Sequence, residues 1–274
     1  MSLTKSVRVP VIHFLQFLYQ STRLAFAGLI LMAIIGFSCS RKPILSGTAG
    51  KNEVSATRFF NEAATMKGLQ RDSLALAYLL AGNMPDFLRN LKRVSYSFLG
   101  NDKRQHEATI WVTPDYLSIG TNADWARIPL TPMAGEIIAS RMDCVLPTPA
   151  MVDAIYHAAD IKLEPVPLYA YRDSTPVFLH HHLIIEGQRK MASGLIAGIK
   201  KDVVRNKKSN GAQNDRVVIY GWHRLDGKPI QPVYAGHVNW YVDYSHGIRL
   251  VSKKVKLDGK WTTMDELDAL TMEP

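Results

Sequence analysis

The sequence predicts an α+β protein: N-terminal helices, then a mostly antiparallel β-sheet with helices packed against it. Three observations carry this. Residues 53–80 hold apolar side chains (Val54, Phe59, Ala63, Met66, Leu69, Leu76, Leu80) on a roughly helical period. Two Thr-Pro pairs, Thr131-Pro132 and Thr148-Pro149, supply an N-cap followed by proline in the first helical turn. Most of the remainder consists of short alternating or apolar runs separated by polar, Gly-containing turns, the mark of antiparallel strands.

Residues 1–39 stand outside that fold. Lys5, Arg8 and Arg23 are their only charged side chains, and an uncharged run, LAFAGLILMAIIGF, fills 24–37 before Ser38-Cys39. A basic start, a short apolar core and a small residue at the cut are the parts of a secretory signal peptide. The 14-residue run falls short of a membrane span, which takes about 20 residues. With Ser38 before Cys39, the segment resembles a bacterial lipoprotein signal, although Gly36 and Phe37 depart from its commonest form. The resemblance implies cleavage before Cys39, a lipid on that residue, and membrane anchoring on the periplasmic or outer side of a bacterial cell envelope. Residues 40–52 are rich in Ser, Gly and Lys and read as a flexible tether. Residues 53–274 then form a single α+β domain.

Charge and cysteine usage narrow the function classes. The formal charge of +9 falls to +6 without the signal, with 30 basic residues against 24 acidic. The basic pairs are scattered and lack interleaved aromatics, so anionic envelope material or lipid headgroups are the expected partners and nucleic acid is not. Of two cysteines, a lipidated Cys39 leaves Cys144 without a disulfide partner, to be buried or used.

In order along the domain, helix is expected over 53–80, its apolar stripe interrupted near Gly68 and Asp72, stopped by Gly82-Asn83 and Pro85. Residues 93–98 (RVSYSF), 107–113 and the YLSIG segment read as an antiparallel meander. Helices follow Thr131 and Thr148, with Cys144 in the link between them. Residues 163–177 form a Pro-rich loop. Strands are expected at 177–186 (VFLHHHLIIE), 194–204, 216–223, 238–244 and 248–255, and a short helix at 263–270. Strand alternation would place His180 and His182 on one face and His181 on the other. One of Lys200 and Lys201 must point inward or to a rim, where it would pair with Asp243 or bind an anion; a solvated strand end is the leading reading of the pair.

Candidate chemistry concentrates in 216–251, RVVIYGWHRLDGKPIQPVYAGHVNWYVDYSHGIRLV. The stretch holds His223, His237 and His246 beside Asp243, Ser245 and Arg249, inside segments that otherwise read as buried strand. Alternation puts Tyr241, Asp243 and Ser245 on one face, and His223 on the side of Val217 and Ile219, with room made by Gly221. A histidine near an aspartate serves as a general base held in one tautomer, or as a metal ligand.

Three functions follow from these residues. In the first, Cys144 lies near the N-terminus of the Thr148 helix, whose dipole lowers a thiol pKa, and a later histidine, His223, His237 or His246, oriented by Asp243, completes a Cys-His hydrolase. The order Cys, helix, antiparallel strands, His resembles papain-like, NlpC-type cell-wall peptidases. That resemblance implies hydrolysis of an envelope peptide or polymer, although the Cys-Ser-Gly run of such enzymes is here Cys144-Val145-Leu146-Pro147. In the second, His237, Asp243 and His246 form an H-x5-D-x2-H set suited to zinc. It resembles the zinc peptidases of the D-Ala-D-Ala carboxypeptidase type, with shorter His–Asp spacing and with Trp222-His223 on the wrong side. In the third, no cofactor or catalysis is involved: Tyr220, Trp222, Tyr241 and Arg249 line a groove for a sugar or peptide of the cell wall. The blocks LPTPAMVDAIY (146–156), KKDVV (200–204), YGWH (220–223), PIQP (229–232) and DYSHGIRLV (243–251) are together similar to a family of uncharacterised exported bacterial proteins. The similarity spans about 84–255 and implies one fold and no particular activity.

Overall fold

A computed structural model describes Pro43, Leu45 and residues 54–205 and 215–271. The signal segment with Cys39, most of the tether and most of the polar loop at 206–215 lie outside those residues. Leu45, inside the expected tether, is buried in the main core. Among the described residues, no helix is long and apolar enough to cross a membrane.

The fold is α+β. In chain order the elements are α1 (Ala56–Glu62), α2 (Gly68–Leu80), a 3-10 turn at Asp86–Arg89, β1 (Lys92–Leu99), β2 (Gln105–Val112), β3 (Ser118–Gly120), β4 (Trp125–Arg127), α3 (Pro132–Arg141), β5 (Cys144–Val145) and α4 (Pro149–Ala158). Then come β6 (Ile161–Lys162), α5 (Thr175–Arg189), β7 (Ile196–Ala197), β8 (Lys201–Val203), β9 (Arg216–His223), β10 (Pro229–Val238), β11 (His246–Gly247), β12 (Val251–Ser252), β13 (Lys254–Leu257), β14 (Lys260–Thr263) and α6 (Met264–Thr271). The two Thr-Pro devices act as expected: Thr131 and Thr148 each accept a hydrogen bond from the backbone N–H three residues on.

Two sheets organise the domain. In the first, β2 pairs with β1 from Lys92↔Val112 to Leu99↔Gln105 and, on its other edge, with β12 and β13. In the second the order is β10-β9-β8-β11, and β8 and β11 run parallel with His246 opposite Lys201. The main core holds Phe59, Leu79, Leu88, Ile138, Ile248 and Leu250, all fully buried.

Several elements differ from the sequence expectation, each for a local reason. The helix expected over 53–80 is two, because Gly68 takes a left-handed φ of +49° and starts α2 on a new axis. The YLSIG segment pairs with β4 as a separate hairpin and does not extend the β1–β2 meander. The run 177–186 is helix α5, not strand. Ser174 stands at its N-cap position with Pro176 in the first turn, and after the buried Thr175 the buried residues Phe178, His181, His182 and Ile185 follow an i, i+3, i+4, i+7 pattern. The strand expected at 238–244 ends at Val238, after which turns such as Tyr241 N to Val238 O (3.0 Å) and His246 N to Asp243 O (3.1 Å) take over. The strand expected at 248–255 is broken into β12 and the start of β13.

Candidate functional site

The parallel contact of β8 with β11 is the architectural centre of the 216–251 stretch. Gly247 makes it possible: a Cβ there would lie 2.4 Å from the Tyr116 ring and 2.8 Å from Lys200 Cβ. Residues 242–250 are buried without interruption, so the polar side chains among them depend on protein partners.

Asp243 has four. Its Oδ1 accepts from the Ser245 amide (2.8 Å) and hydroxyl (2.6 Å), and its Oδ2 from Arg172 Nη2 (2.7 Å) and Tyr241 OH (3.2 Å). Burial alone would raise this carboxyl. His246, an imidazolium only in the acid range where this carboxyl would titrate, then the two Ser245 donors and Arg172, more than offset burial and hold it ionised, well below the usual carboxylate range. His246 is the opposite case. Its Nε2 lies 4.0 Å from Asp243 Oδ1, and both ring nitrogens are buried without a hydrogen bond. Burial pushes its pKa down to about 4, so the ring is neutral at pH 7. His237 is partly exposed and stacks near Tyr241, with ring centroids 4.6 Å apart. Alternation had grouped Tyr241, Asp243 and Ser245 on one strand face; they do cluster, but around the Asp243 carboxylate in a turn.

Behind Asp243 lies a second polar layer that the sequence reading did not identify. Lys200, expected at a solvated strand end, is fully buried. Its Nζ donates to the Tyr244 carbonyl and meets His181 Nδ1 at 3.2 Å. Burial, reinforced by Arg127, pushes its pKa down to about 7. Arg127 grips Asp115 with two hydrogen bonds (2.9 and 2.6 Å) and reaches Glu186 at 2.8 Å. It also donates to His182 Nδ1 at 3.2 Å. His182 is pushed down to about 3, by burial first and then by Arg127. Tyr116 OH donates to Asp202 (2.8 Å), whose carboxyl burial pushes up to about 6. The clue to this layer was the HHH run. Read as helix, its His181 and His182 point into the core.

Other expected site residues go elsewhere. Arg249, a candidate ligand contact, is buried and donates to the carbonyls of Thr113 (2.8 Å) and Ile196 (2.7 Å). Trp222 is buried. Gly221 and Trp222 both take positive φ, +102° and +57°, which turns the end of β9 over. His223 therefore faces α4 with Tyr220, away from the core side of Val217 and Ile219. Its Nε2 is 2.9 Å from Asp153, which also accepts from Tyr220 OH (2.9 Å), and Tyr156 stacks on the ring at 4.5 Å.

Cys144 does not fill the nucleophile role expected of it. The residue is 2% exposed, lies in the main core and donates its thiol to the Met142 carbonyl at 3.4 Å. Burial, then the neighbouring Asp143 charge, pushes the thiol up to about 12. Among the described residues no histidine hydrogen-bonds to it. The zinc set does not assemble either. His237 and His246 stand 6.4 Å apart by ring centroid, and both Asp243 oxygens are occupied by donors. Among the described residues, no group of three His, Cys, Asp or Glu side chains is arranged to hold a metal ion.

One of the expected contact residues, Tyr241, does face a cavity. A pocket of about 240 Å³ opens between the N-terminus of α2 and the turn after β10, lined by Lys67, Gly68, Arg71, Asp173, Trp240 and Tyr241 among others. Trp240 is 58% exposed and forms one wall. Arg71 is fully buried in phase with Ala75 and Leu79 on the core side of α2, and an arginine in that apolar phase was its only sequence signal. The chain matches no protein-family model, no curated protein and no solved structure.

Proposed function

We propose that this is an exported, lipid-anchored binding protein of the bacterial envelope, working without catalysis, and that its ligand docks against Trp240 and Tyr241. The observation that carries this reading is how the 216–251 stretch divides its side chains. The groups that chemistry would need are withdrawn: Cys144 in the core, His246 sealed and neutral, Asp243 held by four donors, His223 stacked under Tyr156. What stays open is aromatic, with Trp240 exposed and Tyr241 forming the wall of a pocket. Exposed aromatics beside a preformed concavity suit stacking on sugar or peptide faces. The lipoprotein-like segment ending at Cys39 supports the anchoring. Two experiments test the parts separately. Cys39→Ala should release the protein from membranes and abolish incorporation of labelled fatty acid. Trp240→Ala should weaken binding to isolated cell-wall polymer by tenfold or more, the loss of about 1.4 kcal/mol expected when an aromatic anchor is truncated. Unchanged binding in that variant would remove the reading.

A further inference from the structure

Arg71 is placed where a fold has little reason to put a cation. It is fully buried, and among the described residues no carboxylate lies within ion-pair distance of its guanidinium. Nη1 donates to the Asp173 carbonyl (2.9 Å) and to Thr175 Oγ1 (3.4 Å), and the guanidinium carbon sits 4.2 Å over the Phe178 ring. Nε is buried with no partner. The adjacent Asp72, and after it Asp173, offset the burial of this charge only in part: neither comes within ion-pair distance, and Asp72 Oδ2 is taken by the amide (3.0 Å) and hydroxyl (2.6 Å) of Thr131. A buried, unpaired charge is costly, and removing the counter-charge of a buried pair costs several kcal/mol. A ligand anion is a partner that would relieve this.

The surroundings suit one. Arg71 lines the Trp240–Tyr241 pocket together with Lys67, one helical turn before it. The 13-residue helix α2 begins at the pocket with no side-chain cap from Lys67, and a Cβ on Gly68 would meet nothing within 4 Å. The start of the helix, where its positive end lies, therefore has open space beside Gly68. Among the lining side chains Lys67 and Arg71 face one carboxylate, Asp173, an excess of one positive charge; Asp72, buried beside Arg71, is not among them. A volume of about 240 Å³ holds roughly eight waters, or one sugar ring or short peptide end.

We infer that the pocket receives a carboxylate-bearing envelope ligand, whose carboxylate pairs with the Arg71 guanidinium and the start of α2 while its sugar or aliphatic face lies on Trp240. This rests on the binding reading above and names its ligand class. Two sources share the chemistry, an acidic sugar and a free peptide C-terminus. Calorimetric titration of the full-length chain with glucuronic acid against glucose, and with N-acetyl-alanyl-alanine against its amide, distinguishes them. In at least one pair the acid should bind tenfold or more tightly than its neutral counterpart. Arg71→Met should erase that preference and Arg71→Lys should retain part of it. Lys67→Gln, at the rim and outside the buried contacts, should weaken the acid about threefold even if the Arg71 variants fold poorly. Neutral probes binding as well as acids in both pairs, or an acid preference that survives Arg71→Met, overturns the inference. If that happens while cell-wall polymer still binds in a Trp240-dependent way, the binding reading stands without it. If Trp240→Ala also leaves polymer binding intact, both fall.

Discussion

Lys200→Met is the sharpest test of the buried polar layer. Methionine keeps an unbranched four-atom stem and removes the amine. In the folded protein the Lys200 ammonium is pushed down from 10.5 to about 7, chiefly by burial. Above pH 10.5 the amine is neutral in both states. As pH falls from there, the unfolded chain takes up a proton that the folded chain refuses until about pH 7, so stability is lost across that window as pH falls and regained as it rises. At about 1.4 kcal/mol for each pH unit, the difference in unfolding free energy between wild type and variant should shift by about 3 kcal/mol between pH 7 and pH 9.5, wild type gaining at the alkaline end. Urea unfolding at several pH values measures it, and groups such as Cys144, present in both proteins, cancel in the difference. A difference that stays flat with pH would mean that Lys200 is charged and solvated in the folded chain, and the description of this layer would be wrong.

Other positions give independent checks. Gly247→Ala should destabilise the domain by about 3 kcal/mol, at the upper end of overpacking costs, because the new methyl overlaps both the Tyr116 ring and Lys200; thermal unfolding reads it. The native chain should react with a thiol reagent at pH 8 equally with and without Cys144→Ser, since the thiol is sealed and un-ionised; extra labelling in the wild type would reopen the cysteine as a nucleophile. His106 bridges Asp258 (2.7 Å) and Asp102 (3.1 Å), tying the turn after β1 to the turn after β13, and its pKa is raised first by Asp258 and then by Asp102. That tie is present at acid pH and is lost as pH rises through the raised imidazole value, so amide exchange in residues 100–106 should quicken over that range in wild type and show no such step in His106→Gln.

How much of this was legible in the sequence depended on which physical rule acted locally. The helices after Thr131 and Thr148 were readable because a capping hydroxyl and a proline act within four residues. The β1–β2 hairpin was readable because its alternation is undisturbed. Segment 177–186 misled because VFLHHHLIIE satisfies both a strand and a helix template, and the decisive Ser174 and Pro176 sit just before it. His223 misled because two successive positive-φ residues, Gly221 and Trp222, reverse the face that alternation assigns. The polar character of 241–246 was visible, yet its partners Arg172, Lys200 and His181 arrive from a loop, the bend before β8 and a helix, the farthest contact spanning 71 residues of chain. No local pattern encodes such meetings. Arg71 was overlooked for the same reason: one cation in an apolar phase gains meaning only when the pocket beside it is seen.

On the proposed function, the open part of the 216–251 stretch binds its ligand and does not cleave it. Incubating the full-length chain with purified cell-wall polymer, and following both the bound fraction and released fragments by mass spectrometry, tests it most directly. Binding should fall tenfold or more in Trp240→Ala and stay unchanged in Cys144→Ala, and neither variant nor the wild type should release new fragments. Fragment release by the wild type that disappears in Cys144→Ala would contradict it.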